Sequence, residues 1–191
     1  MKSRIYLIAF LFLSGLSLSA QDLVNVDKET ALSEVMSNIW SEQDEFSQIT
    51  RYYSKKTPKN QNDFYDRFFL YISVPKNNGV PRLFLEISHS DQYRRGDYYR
   101  IKTISLLSDG KPLDLPMNQG TISGNGSQQS IFTMGFGKKA YYFDYIKDMV
   151  NAQSTKARIV TPKNLLIDFE ISAKERKAMS EVLALWQLIK K

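Results

Sequence analysis

The spacing of apolar residues switches along the chain between the two-residue period of a strand and the 3.6-residue period of a helix. The last stretch shows this best. Ala157-Arg158-Ile159-Val160-Thr161 predicts a strand, and Pro162-Lys163-Asn164 a turn. Leu165, Ile167, Phe169 and Ile171 then alternate with Leu166, Asp168 and Glu170, which predicts a second strand with one buried face. Ser172 stands three residues ahead of Glu175, the spacing of a capping box that opens a helix. In that helix Ala178, Val182, Leu185, Trp186 and Ile189 share one side, flanked by Met179 and Leu183. Arg176, Lys177, Ser180, Glu181 and Gln187 take most of the other. Burying each large apolar side chain stabilises by roughly 1.5–3 kcal/mol, against about 1 kcal/mol for the cap. Packing therefore holds this helix, and the predicted partner is the Leu165/Ile167/Phe169/Ile171 face.

Upstream, Asp27 is the expected cap of a short helix carrying Leu32, Val35, Met36 and Ile39 at i, i+3, i+4, i+7 spacing. Phe46 to Tyr53 reads as a strand. The junction has two readings, because Asn38-Ile39-Trp40 either ends the helix or starts a hairpin turning at Glu42-Gln43-Asp44. Lys55 to Asp63 is a polar loop with Pro58. Phe68 to Val74 is apolar at both alternating sets of positions, the pattern of a central strand covered on both faces. A Pro- and Gly-containing loop joins it to a strand through Leu83, Leu85 and Ile87, which predicts a hairpin. Gln92 to Asp97 is a turn, Tyr98 to Leu107 a strand, and Asp109-Gly110 a turn pair. Lys111 to Ser130 shows little periodicity and reads as loop, with Gly124 to Ser130 its most polar part. Ile131 to Phe136 and Ala140 to Phe143 are expected strand pieces, and Asp144 the cap of a short helix with Ile146, Met149 and Val150.

Strands in sequence-adjacent hairpins, without regularly interleaved helices, predict an α+β fold. Its core is a mainly antiparallel sheet of about five to seven strands, covered by the C-terminal helix, with a short N-terminal helix. Composition changes the picture at the N-terminus. Lys2 and Arg4 precede the apolar run Ile5 to Leu13, and Ser14 to Ala20 is small and turn-prone. That is the order of a signal peptide, with cleavage expected after Ala20, and the run is about half of the roughly 20 residues of a spanning helix. The expectation is one domain over residues 21–191, secreted or periplasmic, with no transmembrane segment after processing. Removing residues 1–20 takes away Lys2 and Arg4 and no acid, lowering the formal charge from +6 to +4. A basic exported protein points to anionic envelope polymers rather than nucleic acid. The absence of cysteine excludes disulfides, thiolate metal sites and lipid attachment at a cleavage-site Cys.

The single histidine, His89, sits beside Ser88, Ser90 and Asp91, but neighbouring strand residues point to opposite faces. A strand-end histidine in contact with solvent is the expectation. Asp63/Asp66 and Asp91/Asp97 do not have EF-hand spacing, and no metal or other cofactor is expected. Gly135-Phe136-Gly137-Lys138-Lys139 and Gly124-Asn125-Gly126-Ser127 match no phosphate-loop signature. The stretch with most binding chemistry is Tyr93-Arg94-Arg95-Gly96-Asp97-Tyr98-Tyr99-Arg100. Tyr93, Arg94, Arg95, Tyr98 and Arg100, with Lys138 and Lys139, are the candidate ligand residues: Arg offers a planar fork for phosphate or carboxylate, and Tyr a flat face for sugars.

Ala157-Arg158-Ile159 through Phe169-Glu170-Ile171-Ser172 and the helix to Trp186 resemble the closing unit of small secreted bacterial envelope domains. Trp40 to Thr50, with Asp44-Glu45-Phe46-Ser47, is similar to their opening strand. The resemblance implies an exported α+β module and transfers no catalytic residue; some such domains carry cysteines that this chain lacks. The expected function is a non-catalytic binding module for an anionic envelope component or a partner protein. A carboxylate-dependent hydrolase acting on envelope glycans, with a cleft under the Gly124–Ser130 loop, and a structural assembly subunit are the alternatives.

Overall fold

The structure is a computed structural model that describes residues 20–57, 67–76, 79–90, 101–123, 129–136 and 140–190. The chain divides into two compact units, Met1–Ser37 and Asn38–Lys191. In the first, helix α1 spans Ala20–Met36. It closes where the Ser37 N–H donates to the Ser33 carbonyl at 3.1 Å and the Ser37 hydroxyl to the Glu34 carbonyl at 2.7 Å. Asp27, the expected cap, lies inside this helix, which is already under way at Ala20.

In the second unit the junction resolves as a hairpin. Ile39 starts β1 (Ile39–Asp44), and β2 is Ile49–Ser54, so the turn falls three residues later than Glu42-Gln43-Asp44. The Asp44 carboxylate decides its place by accepting the backbone N–H groups of Phe46 and Ser47 at 3.0 and 3.1 Å, a turn suited to a short acidic side chain. β3 (Arg67–Pro75) and β4 (Arg82–Ser90) form the expected hairpin.

Among the described residues, β1 to β4 lie side by side and β8 (Gln129–Gly135) and β7 (Gly120–Ser123) continue them. The result is a six-stranded antiparallel sheet of order β1-β2-β3-β4-β8-β7. A second antiparallel sheet has the order β10-β9-β5-β6, with β5 Thr103–Ser108, β6 Lys111–Asp114, β9 Thr155–Val160 and β10 Leu166–Glu170. The fold is α+β and antiparallel, as the hairpin pattern predicts. What hairpins do not specify is the division into two sheets: the chain leaves the larger sheet after β4, builds β5 and β6, returns for β7 and β8, and leaves again. Residues 111–123, read as loop, contain β6, a 3-10 turn (Met117–Gln119) and β7. The Asp109-Gly110 pair does turn between β5 and β6, with φ of 44° and 80°, the left-handed geometry of a two-residue hairpin turn.

Helix α2 (Ala140–Asn151) replaces the strand expected at Ala140 to Phe143, and Asp144 sits within it instead of capping it. The aromatic run has strand propensity, but helical spacing aligns Phe143 with Ile146, Met149 and Val150, and burial of Ile146 and Met149 overrides propensity. Helix α3 (Ala173–Ile189) opens on the capping box: Ser172 Oγ accepts the Glu175 N–H at 3.2 Å, and Glu175 Oε2 accepts the Ser172 N–H at 2.7 Å. It covers the larger sheet along β3 and β2 and lies beside α2. Its partner is therefore not the β10 face, where Leu165 is exposed, Ile167 and Phe169 are half-buried and only Ile171 is sealed.

The core face of the larger sheet is formed by Phe68, Leu70 and Ile72, Leu83, Leu85 and Ile87, and Phe132 and Met134, with α3 over its β3 and β2 part. Ile104, Leu106, Ala157 and Ile159 are the buried residues of the smaller sheet. Its opposite face carries an in-register pair, Arg158 and Asp168, joined by two bonds of 2.6 and 2.7 Å. Among the described residues, no helix is long and apolar enough to cross a membrane.

Candidate functional site

Alternation in a strand sends every second residue to the face opposite the core. On the larger sheet that face is aromatic. Trp40 on β1 pairs with Tyr53 on β2, Tyr71 on β3 with Phe84 on β4, and Phe84 with Gly135 on β8. The β2–β3 register places Tyr53 opposite Tyr71. Four rings therefore stand in one row across four strands. Successive centroids are 4.6, 5.4 and 5.2 Å apart, with interplanar angles of 18°, 30° and 13°. Phe69 joins from the side, 6.2 Å from Tyr53 and 6.4 Å from Tyr71.

These separations are close to the ~4.8 Å between strands. Rings lying flat on the sheet would overlap at that spacing, so they stand on edge with their faces against one another. The row ends on a glycine for a steric reason: a Cβ at Gly135 would come within 3.1 Å of Phe84 Cε1. Its other end is anchored, since Trp40 Nε1–H donates to the Ser54 carbonyl at 3.0 Å. Trp40, Tyr53, Phe69 and Phe84 remain partly exposed, while Tyr71 is buried.

Burial sets the electrostatics. It pushes the Tyr71 phenol up to about 12, with Glu86 adding to the rise and Arg51 opposing it. The Tyr53 phenol is raised further, again by burial first, with Arg51 opposing and Glu42, Glu86 and Tyr71 adding. Both phenols are neutral at physiological pH. The neighbouring row, Glu42, Arg51, Ser73 and Arg82, carries charges of both signs on the same face. The surface is a rigid ridge of ring edges beside a mixed-charge row. Inside the row each ring face is taken up by the neighbouring ring and not open to a stacking sugar.

A polar cluster lies on the core side. Glu181 of α3 is only 8% exposed, contrary to its expected place on the polar side of the helix. Its Oε2 accepts the Ser54 hydroxyl at 2.6 Å, and Oε1 forms an ion pair with Lys56 Nζ. Ser54 Oγ in turn accepts the Lys56 N–H at 3.0 Å. The end of β2 meets this turn of α3, which is why a carboxylate is tolerated there. The cluster joins sheet to helix, and its serine is fully buried. His89 is also a correction: it is buried, at 6% exposure, on the same side of β4 as Leu83, Leu85 and Ile87.

Tyr93, Arg94, Arg95, Tyr98, Arg100, Lys138 and Lys139 all lie outside the described residues, as do residues 1–19 and 124–128. The aromatic row is not among those candidates. The only sequence signal for it was the apolar pattern on both sets of positions in Phe68 to Val74; the alignment of Trp40, Tyr53, Tyr71 and Phe84 exists only once the strand register is known. No protein family, curated protein or solved structure matches the chain.

Proposed function

We propose that this protein is an exported, non-catalytic binding module whose contact surface is the aromatic face of the larger sheet, and that its partner is another protein. The observation that carries this reading is the row Trp40, Tyr53, Tyr71, Phe84 beside Arg51 and Arg82. Trp, Tyr and Arg are the residues that dominate protein–protein hot spots, because they pair a large rigid apolar area with directed polar groups. Glu42 and Glu86 on the same face argue for a protein surface with charges of both signs over a polyanion. The export half of the proposal rests on the leader-like residues 1–20.

The test places a photo-crosslinking residue at position 51 in the producing cell, identifies the captured protein, and titrates it in purified form. Arg51→Glu should weaken that complex at least about tenfold, as loss of a central charged contact does. Arg158→Glu, on the outer face of the smaller sheet, should leave it unchanged. Equal effects of the two substitutions, or none from either, would refute the assignment of this face.

A further inference from the structure

Two apolar side chains project from one end of the larger sheet, at the tips of neighbouring hairpins. Phe46, in the β1–β2 turn, has 102% relative exposure, and Val80, in the β3–β4 loop, has 74%. The pairing of Ile49 with Pro75 puts both turns at the same end. The Lys76 N–H donates to the Gln48 carbonyl at 2.8 Å and ties one hairpin to the other.

Both exposures are built in. The Asp44 carboxylate holds the N–H groups of Phe46 and Ser47, and the Gln48 side-chain amide donates to the Glu45 carbonyl at 2.5 Å. Gln48 itself takes φ of 54°, a conformation non-glycine residues rarely adopt. In the second hairpin a Cβ at Gly79 would lie 2.4 Å from the Pro75 Cβ, so the loop is folded against the Pro75 ring just before Val80. Each turn holds an apolar group in water, where it contributes nothing to the core.

We infer that this end of the sheet seats in the headgroup layer of an anionic lipid surface, with Phe46 and Val80 as the inserted tips. Side-by-side convex tips suit a fluid interface, which needs no matching concavity. Exposed Lys76 and Arg82 start beside them and can lay their stems along the apolar layer while their charges reach phosphate. Among the described residues of this end, Glu45 and Glu42 are the exposed opposing charges, Glu42 in the row that holds Arg51 and Arg82, whereas the Asp44 carboxylate is engaged by its own turn; the cations Lys76, Arg51 and Arg82 exceed these two acids by one. The net charge, +6 for the full chain and +4 without Lys2 and Arg4, supplies longer-range attraction to an anionic leaflet. The inference does not rest on the protein-docking proposal: Phe46 and Val80 lie at the strand ends and not on the aromatic face, and Arg82, at the edge of that face, is common to both surfaces.

The chain has no cysteine, so Ser47→Cys carries a single environment-sensitive dye in the full-length protein, with Glu170→Cys on β10 as the labelled control. With vesicles of phosphatidylcholine containing phosphatidylglycerol, the dye at position 47 should shift to the blue and the dye at position 170 should not; phosphatidylcholine alone should give a smaller shift. Phe46→Ser combined with Val80→Ser should lower co-sedimentation of the unlabelled full chain with the mixed vesicles at least about tenfold at an unchanged melting temperature. Residues 5–13 are common to every variant, so the difference reads the tips alone. No response at position 47, an equal response at both positions, or unchanged co-sedimentation would overturn the inference. It would also be overturned if the double substitution abolished a self-association seen by light scattering without lipid.

Discussion

Ser54 and Glu181, 127 residues apart in sequence, share a hydrogen bond of 2.6 Å inside the core. It is a polar bond between the end of β2 and the middle of the covering helix, completed by Lys56 on the second carboxylate oxygen. Glu181→Ala leaves a fully buried hydroxyl without its acceptor and should lower stability by about 2 kcal/mol, and Ser54→Ala by about 1 kcal/mol. The two losses should not add. Urea denaturation of both variants and of the Glu181→Leu, Ser54→Ala double variant checks this, and the double variant should recover part of the loss because the buried hydroxyl and carboxylate go together, leaving only the part-buried Lys56 N–H without the Ser54 acceptor.

Gly135 is required by the ring beside it. Gly135→Ala brings a methyl to about the 3.1 Å limit from Phe84 Cε1, and stacking of Phe84 on Tyr71 restricts how far the ring can yield. A loss of about 1 kcal/mol is expected, with a larger loss for Gly135→Val. Near-ultraviolet circular dichroism should change in Gly135→Ala even where the far-ultraviolet spectrum does not, since the aromatic row is what moves.

The raised phenols make an alkaline prediction. A tyrosine whose folded value lies above its ordinary value contributes stability that is fully present below about 10, the unfolded value, and that is lost as pH rises toward about 12, the folded value of Tyr71. Tyr53 acts in the same direction. Spectrophotometric titration of the 11 tyrosines should show a late fraction that ionises only with unfolding. Tyr53→Phe combined with Tyr71→Phe should remove that fraction.

Acid should act in part through Asp109, as also through Asp44 and Asp168, whose carboxyls are held low in the same direction. The Asp109 carboxylate is held below the usual range, first by the Ser154 N–H, then by the Gln153 N–H, which it accepts at 2.9 and 3.1 Å. A depressed carboxylate stabilises above its unfolded value of about 4, and the contribution disappears as pH falls through the lower folded value. Thermal melting followed from neutral pH into acid should fall less steeply for Asp109→Asn than for the parent chain.

Some elements were readable because a few neighbouring residues decide them. Ser172 and Glu175 form the capping box their spacing predicts, Asp109-Gly110 turns, and Phe68 to Val74 is an interior strand. β6 and β7 were not readable. Lys111–Asp114 contains a proline and Gly120–Ser123 lacks alternation, so neither carries a local strand signal; pairing with β5 and β8 makes them strands. Glu181 and His89 were misplaced for a related reason. Residue type predicts average exposure, whereas the side chains facing a given position set its actual burial.

The amino-acid sequence by itself determined the class of the fold and the covering C-terminal helix, because periodicity and caps act over a few residues. Tertiary structure alone decided that the strands divide between two sheets, that α3 lies on β3 and β2, and that Trp40, Tyr53, Tyr71 and Phe84 meet in one row. Those outcomes depend on register between segments far apart in the chain. A shift of a single residue would turn every ring to the other face.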